Sequence, residues 1–437
     1  MPHVTQSRNK ALELIDFIDA SPSPWHAVAS AEARLQAQGY VRLDEGERWQ
    51  LVAGGRYYAV RGGASLIAFI VGSLPLAQSG FRIVGAHTDS PGLRLKPRAA
   101  LAGDGLLRLG VEVYGGPILA TFADRDLGLA GRVAVKAGDG VENRLVHFAR
   151  PLARLPNLAI HMNREVNDKG LVLHKQNELP LLLAMGDAFI NTADATDWFR
   201  GLLADAAGID RDDLLGWDLA AFDTQPGAFW GAGQEFVATA RLDNLASCHA
   251  GLSALPGGVA PTATAMLALF DHEEIGSESA AGAGGSFLAD VVGRIAAARD
   301  CDGEDRRRAL AASFFISADM AHAWQPNFPA AYEPAHRVLV NAGPVIKSNV
   351  NMRYTTGAET AARFMRLCER AQVPVQQYSH RTDLGCGSTI GPIVAARLGI
   401  AAVDVGNPMW AMHSARESAG ALDHGYMTAA LSAHFAS

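Results

Sequence analysis

The spacing of apolar residues predicts helices and strands in alternation over the first part of the chain. Apolar side chains recur at near-helical intervals over 7–18, and a second helix is expected over 25–38, after the Ser-Pro-Ser-Pro run at 21–24. Short apolar runs then predict strands over 57–60, 65–72 and 81–86. This order of elements is typical of an α/β fold.

The pattern changes after Pro97, where helical periodicity gives way to glycine-rich turns. Short β segments are expected between these turns, over 106–113, 118–122 and 131–135. The alternation of helix and strand resumes with a run that begins at Phe236. We therefore predict an α/β domain formed by 1–96 and 234–437, with a mixed, largely parallel sheet flanked by helices, and an inserted β-rich domain over 97–233.

Five apolar runs lead to side chains that can bind a metal ion. They are His87 after the run 81–86, Asp243 after 236–242, the pair Glu273 and Glu274 after 263–270, Asp319 after 314–318, and His413 after 401–405 and a loop. Short apolar runs followed by polar turns are typical of buried parallel strands, and ligands bind at the carboxyl ends of such strands. We therefore expect these side chains to meet at one edge of a sheet.

The residue types of this set indicate a particular metal chemistry. Each residue alone is more often a helix cap or a solvated loop residue, and only the combination points to a metal. Two histidines and three carboxylates suit zinc, with manganese or cobalt as alternatives. If Asp243 bridges two ions, His87 and Asp319 can complete one site while His413 and Glu274 complete the other.

Two further carboxylates lie beside the predicted ligands. Glu273 is next to Glu274 but is not needed for the metals, so it is the natural general base for a water between them, passing the proton to the leaving group. Asp89 comes two residues after His87 and could hold the imidazole of that ligand. The hypothesis is hydrolysis by an activated water, without a nucleophilic side chain. We interpret Cys386, which lacks a His/Asn context, as structural.

Composition and charge exclude several other classes of protein. The chain has 437 residues, of which 49% are hydrophobic, and can bury a large core in two or three domains. A formal net charge of -7 with no basic run argues against nucleic-acid binding. No secretory signal is evident, and the most apolar stretch, 64–77, is interrupted by Ser, Gly and Pro, so no membrane segment is expected. Four scattered cysteines suit reduced thiols in the cytoplasm.

The motifs around the predicted ligands resemble those of the aspartyl aminopeptidase family. They are His87-Thr-Asp-Ser-Pro-Gly-Leu-Arg-Leu-Lys-Pro, Arg241-Leu-Asp-Asn-Leu, Asp271-His-Glu-Glu-Ile-Gly-Ser, Ser317-Ala-Asp-Met-Ala-His-Ala and Ala411-Met-His-Ser-Ala-Arg-Glu. The resemblance covers nearly the whole chain in the expected order. It implies a dinuclear zinc exopeptidase of the zinc exopeptidase-like fold, acting on peptides with a free N-terminus, with the same five ligands and Glu273 as the base. It also implies that the inserted domain forms dimers, which assemble into a shell-like homo-oligomer such as a dodecamer.

The resemblance also marks residues for substrate binding. Lys347 matches a lysine near the pocket for the first side chain, where an ammonium would favour N-terminal Asp or Glu; without the resemblance, a solvated lysine at a strand end is an equal alternative. His161 matches a histidine that reaches a neighbouring subunit's active site. His322 lies in the Asp319 motif, and the turn containing Gly385 could offer N–H groups to the peptide or the oxyanion. Gln325 stands where the family commonly has a further histidine.

Rival interpretations belong to other functional classes. A related metal-dependent deacylase or carboxypeptidase could use a similar ligand set on the same architecture. A binding or storage protein would be expected to have lost Glu273 or a ligand, and all are present. A dehydrogenase is disfavoured because no GxGxxG follows an early strand.

Overall fold

The computed structural model describes residues 2–187, 189, 191–258 and 260–437. Its helices are α1 (Pro2–Asp19), α2 (Pro24–Ala37), α3 (Leu76–Ser79), α4 (Val166–Lys169), α5 (Thr192–Ala207), α6 (Leu242–Ala254), α7 (Phe287–Ala298), α8 (Gly303–Ala311), α9 (Ala358–Ala371), α10 (Ile390–Leu398) and α11 (Asp423–Phe435). Short 3-10 turns lie at Leu119–Phe122, Arg211–Asp213, Glu273–Ile275 and Pro329–Ala331. None of the described helices is long and apolar enough to cross a membrane.

The strands follow the same numbering in chain order. They are β1 (Val41–Arg42), β2 (Arg56–Arg61), β3 (Ser65–Ile70), β4 (Phe81–His87), β5 (Gly92–Gly103), β6 (Leu106–Tyr114), β7 (Leu127–Ala137), β8 (Gly140–Ala153), β9 (Leu181–Met185), β10 (Leu214–Asp223), β11 (Ala228–Trp230), β12 (Phe236–Thr239), β13 (Thr264–Phe270), β14 (Phe314–Ala318), β15 (Ala321–His322), β16 (Val345–Ser348), β17 (Gln376–Ser379), β18 (Ala401–Gly406), β19 (Pro408–Trp410) and β20 (Glu417–Gly420). The early helices and strands predicted from periodicity are confirmed by α1, α2 and β2 to β4.

A large mixed sheet forms the centre of the α/β fold. Its described strands are ordered β1-β2-β3-β13-β4-β14-β18-β16-β17. The four inner strands β13, β4, β14 and β18 are parallel, while β2, β3 and β16 introduce antiparallel pairs. The predicted class, a mixed and largely parallel sheet flanked by helices, is confirmed. The carboxyl ends of the parallel strands share one edge, which is where α/β folds bind ligands.

Helices cover both faces of this sheet because its inner strands are apolar on both sides. Successive side chains of a strand point to opposite faces. Ile83 accordingly packs into a core with Phe287 of α7, whereas the next residue, Val84, packs into a second core with Leu245 of α6 and Leu431 of α11. Burial on both faces explains why these strands were recognisable as continuous apolar runs.

A separate antiparallel sheet is built from strands between Gly92 and Asp223. Its order is β8-β7-β10-β5-β6-β9, and α5 packs on it through Phe199 and Leu203. The predicted strands over 106–113 and 131–135 are confirmed by β6 and β7. The domain limits at 97 and 233 stay predictions; residue 97 itself lies within β5.

The strand predicted over 118–122 is wrong. Residues Leu119–Phe122 form a 3-10 turn, closed by a hydrogen bond from the Thr121 N–H to the Ile118 carbonyl. The Ile118 N–H donates instead to the carbonyl of His413 at 2.9 Å. The apolar run therefore connects the six-stranded sheet to the loop that contains His413. It does not pair with any described strand.

Two of the five ligand-bearing runs also depart from the strand-end prediction. Strand β12 pairs antiparallel with β11 and β20 in a third, five-stranded sheet of order β11-β12-β20-β19-β15. The run ends early because Arg241 has a left-handed φ of 56°, and Asp243 then lies in the first turn of α6. His413 follows β19 of the same sheet. The expectation of a parallel strand before the ligand is therefore wrong for Asp243. For His413 the run 401–405 does form a parallel strand, β18, but the connection predicted as a loop also contains β19.

Candidate metal centre

All five predicted ligands meet at the carboxyl edge of the large sheet. His87 is the last residue of β4, Asp319 follows β14, and Glu274 lies in the 3-10 turn after β13. Asp243 comes from the start of α6 and His413 from the loop between β19 and β20. Three parallel strands, the start of one helix and a loop of the five-stranded sheet thus contribute one side chain or pair each.

Distances divide the cluster into two half-sites that share Asp243. In each of the triads His87–Asp243–Asp319 and Asp243–Glu274–His413, one ligand atom per residue lies within 4.8 Å of the others. His87 Nε2 is 3.4 Å from Asp243 Oδ1 and 3.5 Å from Asp319 Oδ1. His413 Nε2 is 3.4 Å from both Asp243 Oδ2 and Glu274 Oε1. Each oxygen of Asp243 therefore faces a different histidine.

The second nitrogen of each histidine already has a partner. His87 Nδ1 lies 3.0 Å from the Asp89 carbonyl, and His413 Nδ1 lies 3.1 Å from the Gly116 carbonyl. A carbonyl only accepts, so each Nδ1 carries a proton, and each ring would present a lone pair at Nε2 once a metal ion took the place of the proton there. Lone pairs of Nε2 and of carboxylate oxygens then converge on the same point. A cation at that point would turn these repulsive contacts into ligand bonds.

Buried oxygens without partners support the same conclusion. Asp243 Oδ1 and Glu274 Oε1 are inaccessible to solvent and accept no hydrogen bond from the described residues. Burial opposes a charged His413, but the neighbouring carboxylates of Asp243 and Glu274 outweigh it and raise the pKa of His413 to about 11. Burial raises the pKa of Glu274 to about 7. A site that favours positive charge this strongly fits divalent cations, and its mixed N/O donors suit zinc.

Asp89 ties the two half-sites to the turn after β13. Its Oδ1 accepts the Glu273 N–H and its Oδ2 accepts the Glu274 N–H, both at 3.1 Å. Oδ1 is 3.4 Å from His87 Nδ1, which is longer than the contact of that nitrogen to the Asp89 carbonyl. Despite burial, the contact with His87 helps to lower the pKa of Asp89, so the group is ionised. Asp89 therefore orients the turn that carries Glu273 and Glu274 as well as the imidazole.

Glu273 lies beside the cluster without belonging to either triad around Asp243. Its Oε2 is 3.8 Å from His87 Nε2, longer than the contacts of that nitrogen to Asp243 and Asp319. Glu273 can also be grouped with His87 and Glu274 as a possible ligand set. Burial, and after it the charge of Asp319, raises the pKa of Glu273 well above its usual value. A carboxylate with a raised pKa next to a metal-binding pair is suited to proton transfer.

Glu417 has a role that the sequence reasoning missed. Its Oε1 accepts the His413 N–H at 2.6 Å and its Oε2 accepts the Asp243 N–H at 3.1 Å, so one buried carboxylate fixes the main chain of two ligands. Burial, followed by the charge of Asp243, raises the pKa of Glu417 to about 8. The only signal in the sequence was its place at the end of the His413 motif.

The inserted sheet also reaches the metal centre through the end of β6. The Tyr114 hydroxyl donates to Asp89 Oδ2 at 2.7 Å, and the Gly116 carbonyl is the partner of His413. Between them, Gly115 has a φ of 66°, and a Cβ there would lie 3.2 Å from the Cβ of Glu274. A glycine is therefore required for this close approach. No pattern in the sequence indicated these contacts.

Two of the predicted substrate residues lie next to the cluster. Lys347 is only 2% exposed, with Nζ 3.3 Å from Asp319 Oδ2 and donating to the Met320 carbonyl at 3.0 Å. His322 packs against the rings of Tyr378 and His380. Burial, and after it the charge of Lys347, lowers the pKa of His322 to about 4, so this ring is neutral.

The other two predicted substrate residues are not part of the cluster. His161 is exposed in the segment between β8 and β9, and among the described residues it belongs to none of the candidate metal groups. Gly385 is exposed and lines a cavity of about 600 Å³ together with Ser348, His380 and Cys386. The four cysteines are unpaired.

Comparison with known proteins identifies the family. A model of the aminopeptidase I zinc metalloprotease family (M18) matches residues 17–435. The chain belongs to the M18 aminopeptidase family. A probable M18 family aminopeptidase 2 of Stutzerimonas stutzeri (strain A1501) is 49% identical over 428 residues, which are 97% of each chain. Its counterpart in Azotobacter vinelandii (strain DJ / ATCC BAA-1303) is 48% identical over 97% of each chain.

Solved structures agree with this assignment over the whole length. Ape4, determined by cryo-EM in complex with Nbr1, has a TM-score of 0.94 and 37% identity, covering 99% of this M18 aminopeptidase and 86% of the Ape4 chain. Yeast aminopeptidase 1 has a TM-score of 0.87 and 28% identity, covering 98% and 97%. The predicted fold, family and enzyme class are confirmed: this M18 aminopeptidase is a metal-dependent hydrolase of peptide bonds, and zinc is the metal of its family.

Proposed function

We propose that this M18 aminopeptidase holds two zinc ions and removes N-terminal Asp or Glu residues from peptides. The observation that carries the dinuclear site is Asp243, whose two oxygens each face a different histidine at 3.4 Å. His87 and Asp319 would complete one site with Asp243, and His413 and Glu274 the other. Bound zinc polarises carbonyl groups and makes water a nucleophile near neutral pH.

Glu273 would move the proton during hydrolysis. Its carboxylate would accept a proton from the attacking water and return it to the leaving amine. Asp89 holds the Glu273 N–H at 3.1 Å, so the base is fixed through its own main chain. Because its pKa is raised, Glu273 is suited both to accept and to release a proton near neutral pH.

The preference for acidic residues rests on Lys347. An ammonium has three donors, and two of those of Lys347 go to Asp319 and to the Met320 carbonyl. Among the described residues no hydrogen-bond acceptor takes the third, although the Tyr354 ring lies 5.1 Å from Nζ, and we propose that a substrate carboxylate takes it. The competing interpretation is that Lys347 only neutralises Asp319, in which case its loss would impair all substrates equally.

The test compares matched charged and neutral substrates. We expect the wild type to prefer Asp-p-nitroanilide over the isosteric Asn compound by roughly 10–100-fold in kcat/KM, since a hydrogen bond to a charged group contributes about 1.5–3 kcal/mol. Lys347→Met should remove most of this preference, whereas Lys136→Met, an exposed lysine of β7, should keep it. Chelation should abolish all activity.

Two results would contradict the acidic preference. An equal rate for Asp and Asn substrates in the wild type would show that the enzyme does not recognise the charge of the substrate side chain. A uniform loss for every substrate in Lys347→Met would show that the lysine only supports the metal site. Cleavage of acylated or C-terminal substrates in place of free N-termini would favour the deacylase or carboxypeptidase alternative, which family membership disfavours.

We also propose that the enzyme works as a homo-oligomer built from dimers, up to a dodecamer. A related aminopeptidase, mApe1 of S. cerevisiae, was solved as a dodecamer, with 28% identity to this chain and a TM-score of 0.86. In the present chain Leu158, Ile160, Met162 and Val172 are exposed around His161, and exposed apolar side chains close together are typical of interaction surfaces.

A complementation experiment tests whether His161 serves a neighbouring site. Subunits carrying His161→Ala and subunits carrying Glu273→Gln should each be nearly inactive alone. If they are mixed after dissociation, an intact Glu273 would meet an intact His161 across the interface and activity should return. Failure to recover activity in mixed oligomers of verified mass would contradict the proposal. The cytoplasmic location and the absence of nucleic-acid partners stay predictions.

A further inference from the structure

A pocket lined by arginines lies at the edge of the large sheet opposite to the metal centre. Arg82 is the second residue of β4 and Phe314 is the first of β14, so the pocket is at the amino ends of these strands. α9 supplies Arg363, Arg366, Leu367 and Arg370, and His434 of α11 and the last residue, Ser437, complete the lining. The cavity has a volume of about 260 Å³, and no Asp or Glu side chain lines it. We call it the arginine pocket.

The arginines of this pocket are unevenly paired. Arg82 is fixed by hydrogen bonds to the Ser79 and Ala312 carbonyls and to the Ser437 hydroxyl. Arg366 pairs with Glu369, outside the lining. Arg363 lies over the ring of Phe314 at 4.0 Å.

Two guanidinium groups of the pocket remain without a carboxylate. Among the described residues, neither Arg363 nor Arg370 forms an ion pair or a side-chain hydrogen bond. The chain has 45 acidic residues against 38 basic ones, so acidic partners are abundant elsewhere. A cluster in which two arginines lack an acidic partner is unexpected for a merely solvated face on a protein of net charge -7.

The positions on α9 bring the like charges together. Residues 363, 366 and 370 are spaced i, i+3 and i+7, which places them on one face of the helix, where like charges destabilise. Burial, followed by the charge of Arg363, lowers the pKa of Arg82. Burial also lowers the pKa of the adjoining His434 to about 3, so this ring is neutral and the guanidinium groups alone set the charge. An anion would relieve this repulsion.

We propose that the arginine pocket binds a phosphate group, either as the free ion or as part of a small phosphomonoester. Guanidinium forks match phosphate oxygens in pairs, and a dianion with several acceptors can engage Arg363 and Arg370 together. Phe314 and Leu367 also line the pocket, with little of either side chain exposed.

The site is separate from the metal centre. Arg82 and His87 are five residues apart on β4, a span of roughly 16 Å at the rise of an extended strand. A ligand in the arginine pocket therefore cannot touch zinc or peptide. The inference stands whether or not the proposed substrate preference is correct.

Calorimetry on the metal-loaded full chain tests the proposal. The probes are inorganic phosphate and AMP, because both carry the same dianion. The variants are the double substitution Arg363→Gln with Arg370→Gln, and Arg307→Gln as a control, since Arg307 is exposed on α8 outside the pocket. We expect one saturable site in the wild type and the control, and at least tenfold weaker binding in the double variant. Tighter binding of AMP would identify a monoester as the ligand, and equal affinities the free ion.

Phosphate can also bind at a zinc centre, and the design separates the two sites. The substituted arginines lie outside the metal cluster, so binding that survives the double substitution unchanged would overturn the proposal. The absence of saturable binding of either probe would do the same. A changed oligomeric mass of the double variant with unchanged phosphate binding would overturn it as well, in favour of an acidic protein surface as the partner. Unliganded melting temperatures of all variants control for folding.

Discussion

Substituting Glu417 tests whether the metal centre depends on a residue that binds no metal. Glu417→Gln keeps the volume of the side chain but leaves one oxygen to accept the two N–H groups of His413 and Asp243, now held at 2.6 and 3.1 Å. The amide NH₂ would face a buried N–H donor, and leaving such a donor unpaired costs about 1–3 kcal/mol. Because both N–H groups belong to residues of the proposed sites, we expect zinc affinity to fall roughly 10–100-fold.

The measurement is activity as a function of free zinc, together with metal content after dialysis. The variant should be underloaded after dialysis and regain most of its kcat at high zinc, because Glu417 does not touch the substrate. Glu235→Gln is the matched control: Glu235 is exposed, and its side chain accepts the Gly233 N–H at 2.9 Å. If Glu417→Gln retained its zinc like the wild type, or if added zinc restored nothing, the positioning role would be refuted.

Two further predictions follow from the buried carboxylate and imidazole groups. Glu273→Gln should keep the metal content of the wild type while kcat falls by at least about 100-fold, the lower range for loss of a general base; retained activity would remove Glu273 from this role. Burial lowers the pKa of His424 to about 3, so below about pH 6.5 the unfolded chain takes up a proton that the folded chain refuses. The contribution of His424 to the free energy of unfolding should therefore be complete above that pH. It should decline as the pH falls, by about 1.4 kcal/mol between about pH 7.5 and pH 5.5. Urea denaturation should show this decline, and His424→Gln should reduce it by that amount; an equal decline in both proteins would contradict the assignment.

The parts of the fold that could be predicted from the sequence are those buried on both faces. β4, β13 and β14 are predominantly apolar, and the polar residues at or just after their ends, including His87 and Asp319, stood out as a change of pattern. The roles of these residues came from the chemistry of a mixed N/O set. The family resemblance agreed with it independently.

The positions of Asp243 and His413 could not be derived in the same way. Both come from the five-stranded sheet, where β12, β19 and β20 are three or four residues long and resemble loop segments in their pattern. Glu417 and Tyr114 were missed because Asp243 and Asp89, which they contact, are distant from them in the chain. Every residue except proline has a main-chain N–H, so the residue types of Asp243 and His413 do not reveal that their N–H groups donate to Glu417.

The end of β6 makes the metal centre depend on the six-stranded sheet as well as on the large sheet. The Tyr114 hydroxyl steadies the carboxylate behind one half-site and the Gly116 carbonyl orients the histidine of the other, although both groups come from the antiparallel sheet between Gly92 and Asp223. An engineer who transplanted that sheet from a relative would be exchanging part of the catalytic scaffold along with it. The zinc content of such a chimaera would then show whether the transplanted sheet makes these contacts correctly.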